Sequence, residues 1–369
     1  MLARLRKIVT RLAALLLGTV LGVATMELVL RAATDTFPTH RNPLSGFHRP
    51  HERLGWLGVE NYAARFKRQE FDVVIATDER GFRKPAAEPP RGDVARIAFL
   101  GDSFLWGWGV PQGAVFTDHL QAQLGATARV ENYGINAFGT GQALLLVEEL
   151  LVDDPPDVAV LLFCYNDLDD NENAKRGRRP RFRLADGELV REPVTKRLVS
   201  PLNRLTQASY AISLLRMNVD NGVKRLRNSA KVWAQGELPV PPGPTRADRE
   251  RQWKLERALL TELATTCENA GIELRLLYVT CNFDIAGPDG TVVPGVSQFD
   301  YRGPLRAICE DLGVALIDPT DALAARWKAL PVTGSKGEPF YFSRDEHWTA
   351  QGHAAVAAYL AEAVEWPRR

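Results

Sequence analysis

Cysteine is scarce in this chain and widely scattered. Cys164, Cys267, Cys281 and Cys309 include no C-x-x-C pair. Paired thiolates at that spacing are the signature of zinc and iron–sulfur sites, so the sequence indicates no metal and no cofactor. An exported domain can oxidise cysteines to a disulfide, but spacing does not select a pair. Cys164 closes an apolar run and is read as a buried free thiol. An excess of one charge is missing as well. Lys and Arg number 46, Asp and Glu 45, for a net charge of +1. Bulk electrostatics therefore gives no sign of a nucleic-acid partner. Histidine is limited to six residues, so the search for a general base is short.

What is present begins at the N-terminus. Arg4, Arg6, Lys7 and Arg11 precede an apolar run from Leu12 to Met26; Glu27 interrupts it and Leu28-Val29-Leu30 extend it before Arg31. That is close to the ~20 residues that span a bilayer. The basic flank predicts the N-terminus inside and the body outside. We read an uncleaved signal anchor. A cleaved secretory signal is the alternative, for which Gly22 and Ala24 form only a weak small-x-small site. The expected localisation is a membrane-anchored, extracytoplasmic domain, periplasmic in a two-membrane bacterium.

With 369 residues, 45% hydrophobic, the chain can bury a substantial core. The expected organisation is an anchor over 1–35, a linker and small β-rich extension over 36–92, and a main domain over 93–369. Within that domain, apolar runs predict strands near 95–100, 128–132, 157–163, 272–279 and 313–317. Helical periodicity falls near 115–125, 140–151, 246–269, 303–311 and 349–364. Alternating strands and helices predict a parallel sheet covered on both faces. An insertion at about 168–245 interrupts the alternation. It holds a hairpin signal at Asp186-Gly187 and a helix at about 203–217. Such an insertion either caps the site or decorates the surface.

The most informative stretch is Ile97-Ala98-Phe99-Leu100-Gly101-Asp102-Ser103-Phe104. A buried strand ends there in a turn that presents a serine hydroxyl. Ligands in open α/β sheets bind outside the carboxyl ends of the strands. Two more blocks end predicted strands: Asn132-Tyr133-Gly134-Ile135-Asn136-Ala137-Phe138-Gly139 and Cys164-Tyr165-Asn166-Asp167. A fourth, Asp345-Glu346-His347-Trp348, precedes the last helix. Serine is a weak nucleophile until a base takes its proton. His347 is the best placed base and Asp345 its orienting acid. The N–H of Ser103, an N–H from the 134–139 loop and the Asn166 amide are candidate oxyanion donors.

This set resembles the SGNH hydrolases, the Gly-Asp-Ser-Leu family of esterases and lipases, over about 95–365. The resemblance implies a flavodoxin-like three-layer α/β/α sandwich with a five-stranded parallel sheet. It assigns Ser103 as nucleophile, His347 and Asp345 as base and acid, and Ser103, Ala137 and Asn166 as oxyanion donors. The chain departs from the family pattern in two blocks, where Ala137 and Cys164 replace glycines. The last block is the Asp-x-His-Trp variant of exported members that act on polysaccharide acyl groups. Trp106, Trp108, Gly134 and Asp167 are candidate substrate-lining residues; Trp106 and Trp108 either stack on a sugar ring or plug the core edge. The acidic cluster Asp167, Asp169, Asp170 and Glu172 is expected to be a solvated loop rather than a cation site. The basic stretch from Lys175 to Arg183 is likewise expected to be a solvated loop, and His353 is expected at a helix surface.

The expected activity is serine-dependent hydrolysis of an O-acyl ester, with an acylated glycan as a candidate substrate. An O-acyltransferase would use the same acyl-enzyme. A noncatalytic glycan-binding or assembly protein is the third reading. The sequence does not give the oligomeric state.

Overall fold

A computed structural model describes residues 2–33, 47–172, 179–195, 205, 209–235, 243–285, 298–329, 340–343 and 345–368. The chain forms two compact units, Met1–Gly46 with Leu198–Pro241, and Phe47–Arg197 with Pro242–Arg369.

The larger unit opens with two antiparallel hairpins, β1 (His48–His51) with β2 (Gly55–Gly58) and β3 (Ala63–Lys67) with β4 (Asp72–Ala76). β5 (Ala95–Gly101) follows, then a short helix α1 (Ser103–Trp106), α2 (Phe116–Leu124), β6 (Ala128–Gly134) and α3 (Thr140–Leu146). Next come β7 (Val158–Phe163), α4 (Asp167–Glu172) and the hairpin β8 (Arg181–Ala185) with β9 (Glu188–Glu192). The unit closes with α5 (Arg246–Asn269), β10 (Glu273–Tyr278), α6 (Asn282–Ile285), α7 (Arg302–Leu312), β11 (Ala315–Ile317), α8 (Thr320–Lys328) and α9 (Ala350–Ala363).

Five strands build one parallel sheet in the order β11-β10-β7-β5-β6. Numbered by entry into this sheet, that is the doubly wound order 2-1-3-4-5, with its switch point between β5 and β7. Successive side chains of a strand face opposite ways. Ala98 and Leu100 of β5 therefore join Leu144, Leu259, Leu263 and Leu305 in one core, while Ile97 and Phe99 join Phe116, Leu120, Val356 and Leu360 in the other. Helices on both faces make three layers, and each fully buried Leu or Phe contributes roughly 1.5–3 kcal/mol. The flavodoxin-like sandwich and its five parallel strands are as expected.

The Asp186-Gly187 turn has φ of +53° and +87°, the pair of positive values that a tight two-residue hairpin requires. α5 starts from a capping box in which Thr245 and Asp248 each bond the other's backbone N–H. The β-rich extension forms two separate hairpins, and its first strand begins at His48 in what reads from sequence as linker. α8 is an element that the periodicity does not reveal.

In the smaller unit one helix runs Leu2–Ala33, and its stretch Arg4–Ala33 is long and apolar enough to cross a membrane. A second helix runs Tyr210–Gln235. It starts later and extends much further than the expected 203–217. Residues 203, 204 and 206–208 of that expectation lie outside the described residues. Glu27 accepts from Ser209 Oγ at 2.7 Å and Ala211 N at 2.9 Å, tying the start of the second helix to the first.

Candidate active site

β5 delivers Ser103 directly into α1. Asp102 caps that helix, its Oδ1 accepting the Phe104 N–H at 2.9 Å. The capped turn sits hard against β6. Gly101 pairs with Gly134, and a Cβ on Gly134 would meet Trp106 N at 2.6 Å. Gly134 is thus a packing glycine and Trp106 is buried, 1% exposed. Trp106 thus follows the core-edge reading, and Gly134 serves packing rather than lining a site. Asp167 is also buried; its carboxylate accepts the Cys164 N–H at 2.9 Å, which fixes the turn carrying Asn166 instead of lining a site.

The Asp345–His347 segment is held by its neighbours. Trp348 Nε1 and Tyr341 Oη both donate to Thr280 O at 3.0 Å, just beyond β10. Glu346 accepts from Tyr165 Oη at 2.8 Å, linking this segment to the loop after β7. The imidazole of His347 then lies between the rings of Phe104, 4.7 Å away, and Trp108, 5.3 Å away and stacked.

His347 Nε2 is 2.7 Å from Ser103 Oγ, and His347 Nδ1 is bonded to Asp345 Oδ1. The other carboxylate oxygen of Asp345 accepts from Trp108 Nε1 at 2.8 Å. Burial pushes the Asp345 carboxyl up, but the bonds from His347 and Trp108 outweigh it and hold its pKa below the ordinary value. Asp345 therefore stays ionised beside the imidazole. Trp108, which the sequence offers as a sugar platform or a core-edge plug, takes a role that sequence reasoning misses: it buttresses both Asp345 and His347.

Asn166 follows β7 and its Nδ2 donates to Asp102 Oδ2 at 3.3 Å and Asp170 Oδ2 at 3.4 Å. Both bonds are at the long, weak end of the range. Ala137 is half-buried with φ +60°. The loop that carries it is brought to β5 by the Ile135 N–H, which donates to Gly101 O at 3.0 Å. Blocks distant in sequence thus meet at the carboxyl ends of β5, β6 and β7.

The charged clusters read differently from expectation. Asp169 pairs with Arg249, Asp170 with Arg179, and Glu172 with Arg251, all on or beside helix α4 rather than in a solvated loop. Arg179 is buried, 5% exposed, although its stretch reads as a solvated basic loop; Lys175 to Arg178 lie outside the described residues. His353 is buried in α9, where its Nδ1 accepts the Phe116 N–H at 3.2 Å and caps α2. Burial lowers its pKa to about 3. Among the described residues, no group of three His, Cys, Asp or Glu is placed to hold a metal ion. The four cysteines are buried free thiols.

A parallel sheet of order 2-1-3-4-5 with a serine, a histidine and a carboxylate joined at its switch point defines an α/β protein of the SGNH hydrolase fold. The GDSL-like lipase/acylhydrolase family matches residues 99–296, more than half of the chain. The chain belongs to that family and is an ester-hydrolysing enzyme. The matched region holds Ser103, Ala137 and Asn166 and ends before Asp345 and His347. Among solved structures, an acetyl xylan esterase named AlAXEase is 16% identical, with a TM-score of 0.43 over 73% of this chain and 100% of that one. A catalytic mutant of Axe2, an acetylxylan esterase from Geobacillus stearothermophilus, is 14% identical, with a TM-score of 0.41 over 76% of this chain and 99% of that one. No curated protein matches the sequence.

Proposed function

We propose that this esterase works through a Ser103–His347–Asp345 triad on an O-acyl ester. The single observation that carries the reading is the 2.7 Å contact between His347 Nε2 and Ser103 Oγ, with Nδ1 held by Asp345. That bond leaves Nε2 free to accept the serine proton. Ser103 Oγ attacks the acyl carbon while Nε2 takes the proton. The carbonyl π pair moves onto oxygen. The oxyanion is received by the N–H groups of Ser103 and Ala137 and by Asn166, whose long bonds to Asp102 and Asp170 are readily exchanged for it. The tetrahedral intermediate collapses, His347 protonates the departing alkoxide, and an acyl-enzyme remains. Water, deprotonated by His347, repeats the sequence and releases the carboxylic acid.

The proposed substrate class is a small O-acyl ester, with an O-acetyl group on a carbohydrate as the form that the Asp-x-His-Trp resemblance implies. The proposed setting is a membrane surface, with the helix Leu2–Ala33 as anchor and the larger unit outside the cytoplasm. Its support is the apolar length of that helix and the basic flank Arg4, Arg6, Lys7 and Arg11 before it. An O-acyltransferase would need an open groove for a sugar acceptor; Trp106 is buried and Trp108 is engaged with Asp345 and His347, so no observation favours that reading.

The test is turnover of p-nitrophenyl acetate by the full chain in detergent, beside Ser103→Ala and His347→Ala. Loss of at least about 10³-fold in kcat in both variants is expected. Activity retained in Ser103→Ala would remove the triad.

A further inference from the structure

The loop that carries Ala137 is built in a conformation alanine disfavours. The Phe138 N–H donates to Ile135 O at 3.1 Å, closing a four-residue turn with Asn136 and Ala137 at its centre. Ala137 has φ +60°, and Asn136 is not among the residues of positive φ. Positive φ at the third residue alone is the type II pattern, which selects glycine at that place. Alanine prefers the type I turn, reached by turning over the peptide between the two central residues. That peptide consists of the Asn136 carbonyl and the Ala137 N–H, which point in opposite directions in a trans peptide. Turning it over would therefore carry the Ala137 N–H away from the oxyanion.

One side chain opposes that flip directly, and a second braces the first. Trp56 Nε1, from β2, donates to Asn136 O at 3.1 Å. Arg179 Nη2 donates to Ala137 O. Both peptides flanking the Ala137 Cα are thus held by their carbonyls. The two holders also brace each other. The Arg179 guanidinium lies over the Trp56 ring, 5.4 Å from its centroid, and is itself fixed by the carboxylate and carbonyl of Asp170. The Trp56 ring meets Phe138 edge-on at 5.8 Å.

We propose that Trp56, braced by Arg179, is a positioning residue for catalysis, which holds the Asn136–Ala137 peptide so that the Ala137 N–H faces the oxyanion. The inference rests on the reading of that N–H as an oxyanion donor. It gives the β-rich extension a part in the chemistry, because Trp56 lies outside the family-matched segment. It also accounts for alanine at a position where the family has glycine. Glycine adopts the type II turn unaided, whereas alanine needs the turn held.

The test measures kcat and KM for p-nitrophenyl acetate with the full chain and four variants: Trp56→Phe, Ala137→Gly, the double substitution, and Ser103→Ala. Trp56→Phe keeps the ring contact with Phe138 and loses the donor. It is expected to lower kcat about 10- to 100-fold, with KM changed less than about threefold, as for the loss of an oxyanion donor. In the Ala137→Gly background the same substitution is expected to change kcat less than about threefold. A merely structural role would lower kcat equally in both backgrounds, and that result overturns the proposal, as does an unchanged kcat in Trp56→Phe. Where circular dichroism shows Trp56→Phe to be unfolded, Arg179→Lys replaces it; it loses the planar brace over the Trp56 ring and is expected to lower kcat in the same direction by less, with the loss again absent from the Ala137→Gly background. Wild-type turnover in Ser103→Ala would remove the triad and this inference together. A dead Ser103→Ala beside a fully active Trp56→Phe would remove this inference alone.

Discussion

Trp108 illustrates how much of the site depends on single atoms. Its indole N–H satisfies the Asp345 oxygen that His347 leaves free, and its ring stacks on the imidazole. Trp108→Phe would keep the stack and strip the bond, leaving a half-buried carboxylate oxygen unpaired, at about 1–3 kcal/mol. The expected result is a kcat lowered about 5- to 50-fold with a melting temperature about 2–10 °C below wild type, read from kinetics and calorimetry. Ala137 makes the opposite case. Left-handed alanine costs about 1–2 kcal/mol, partly offset by the greater unfolded-state entropy of glycine. Ala137→Gly should therefore raise the melting temperature by about 1–3 °C, and a fall would mean that the methyl group is well packed. At this scale the residues proposed to react were legible as motifs. Ser103, Asn166, Asp345 and His347 each sit in a short motif at a strand end or before a helix. The supporting atoms were not. Trp108 meets Asp345 across most of the chain, and nothing local to Gly134 or Asp167 says that they turn inward. The replacement of glycine by Ala137 was legible as a departure, but its dihedral angle belongs to the folded loop.

Elements position the site through close backbone contact. α1 rests on β6 with no side chain between them, because Gly134 lacks a Cβ. Gly134→Ala would place a methyl group 2.6 Å from Trp106 N and 2.8 Å from Leu105 C. Backbone cannot yield as a flexible side chain can, so the helix that carries Ser103 would have to lift. We expect a stability loss of roughly 1–3 kcal/mol or more and loss of most esterase activity, measured by urea unfolding and turnover. An unchanged Cm would contradict this packing. The segment after α1 is held from the extension: buried Arg83 donates to Gly107 O at 3.2 Å and Val110 O at 2.7 Å. The parallel strands were legible because they are buried on both faces and read as continuous apolar runs. The hairpin was legible in Asp186-Gly187. The extension's partnership with the site was not, since short strands of mixed polarity carry no mark of what they pack against. The long helix Tyr210–Gln235 escaped because its mixture of charged and apolar residues continues well past the expected end.

At the scale of the whole molecule, a buried carboxyl joins three helices. Glu256 of α5 accepts from Thr140 Oγ1 at 2.6 Å at the start of α3 and from Asn171 Nδ2 at 2.8 Å in α4. Burial pushes its pKa up from 4.5 to about 7. Between those values the folded chain binds a proton that the unfolded chain has lost. Stability from this group is thus greatest below about pH 4.5 and is lost as pH rises to about 7, a difference on the order of 3 kcal/mol. Burial raises Asp102 and Asp167 too, so they act with the same sign. Denaturant midpoints should therefore fall between pH 5 and pH 8, and Glu256→Gln should flatten that slope. An equal slope in the variant would refute the assignment. The doubly wound order of the sheet brings the ends of β5 and β7 together at its switch point, and the Asp345–His347 segment closes on them from the far end of the sequence. Whether Ser103 is the nucleophile of this arrangement is decided by a fluorophosphonate probe on the full chain, followed by peptide mapping. One adduct is expected, on Ser103, and it should be lost in His347→Ala. An adduct on another residue, or ester turnover with no adduct at all, would contradict that role for Ser103.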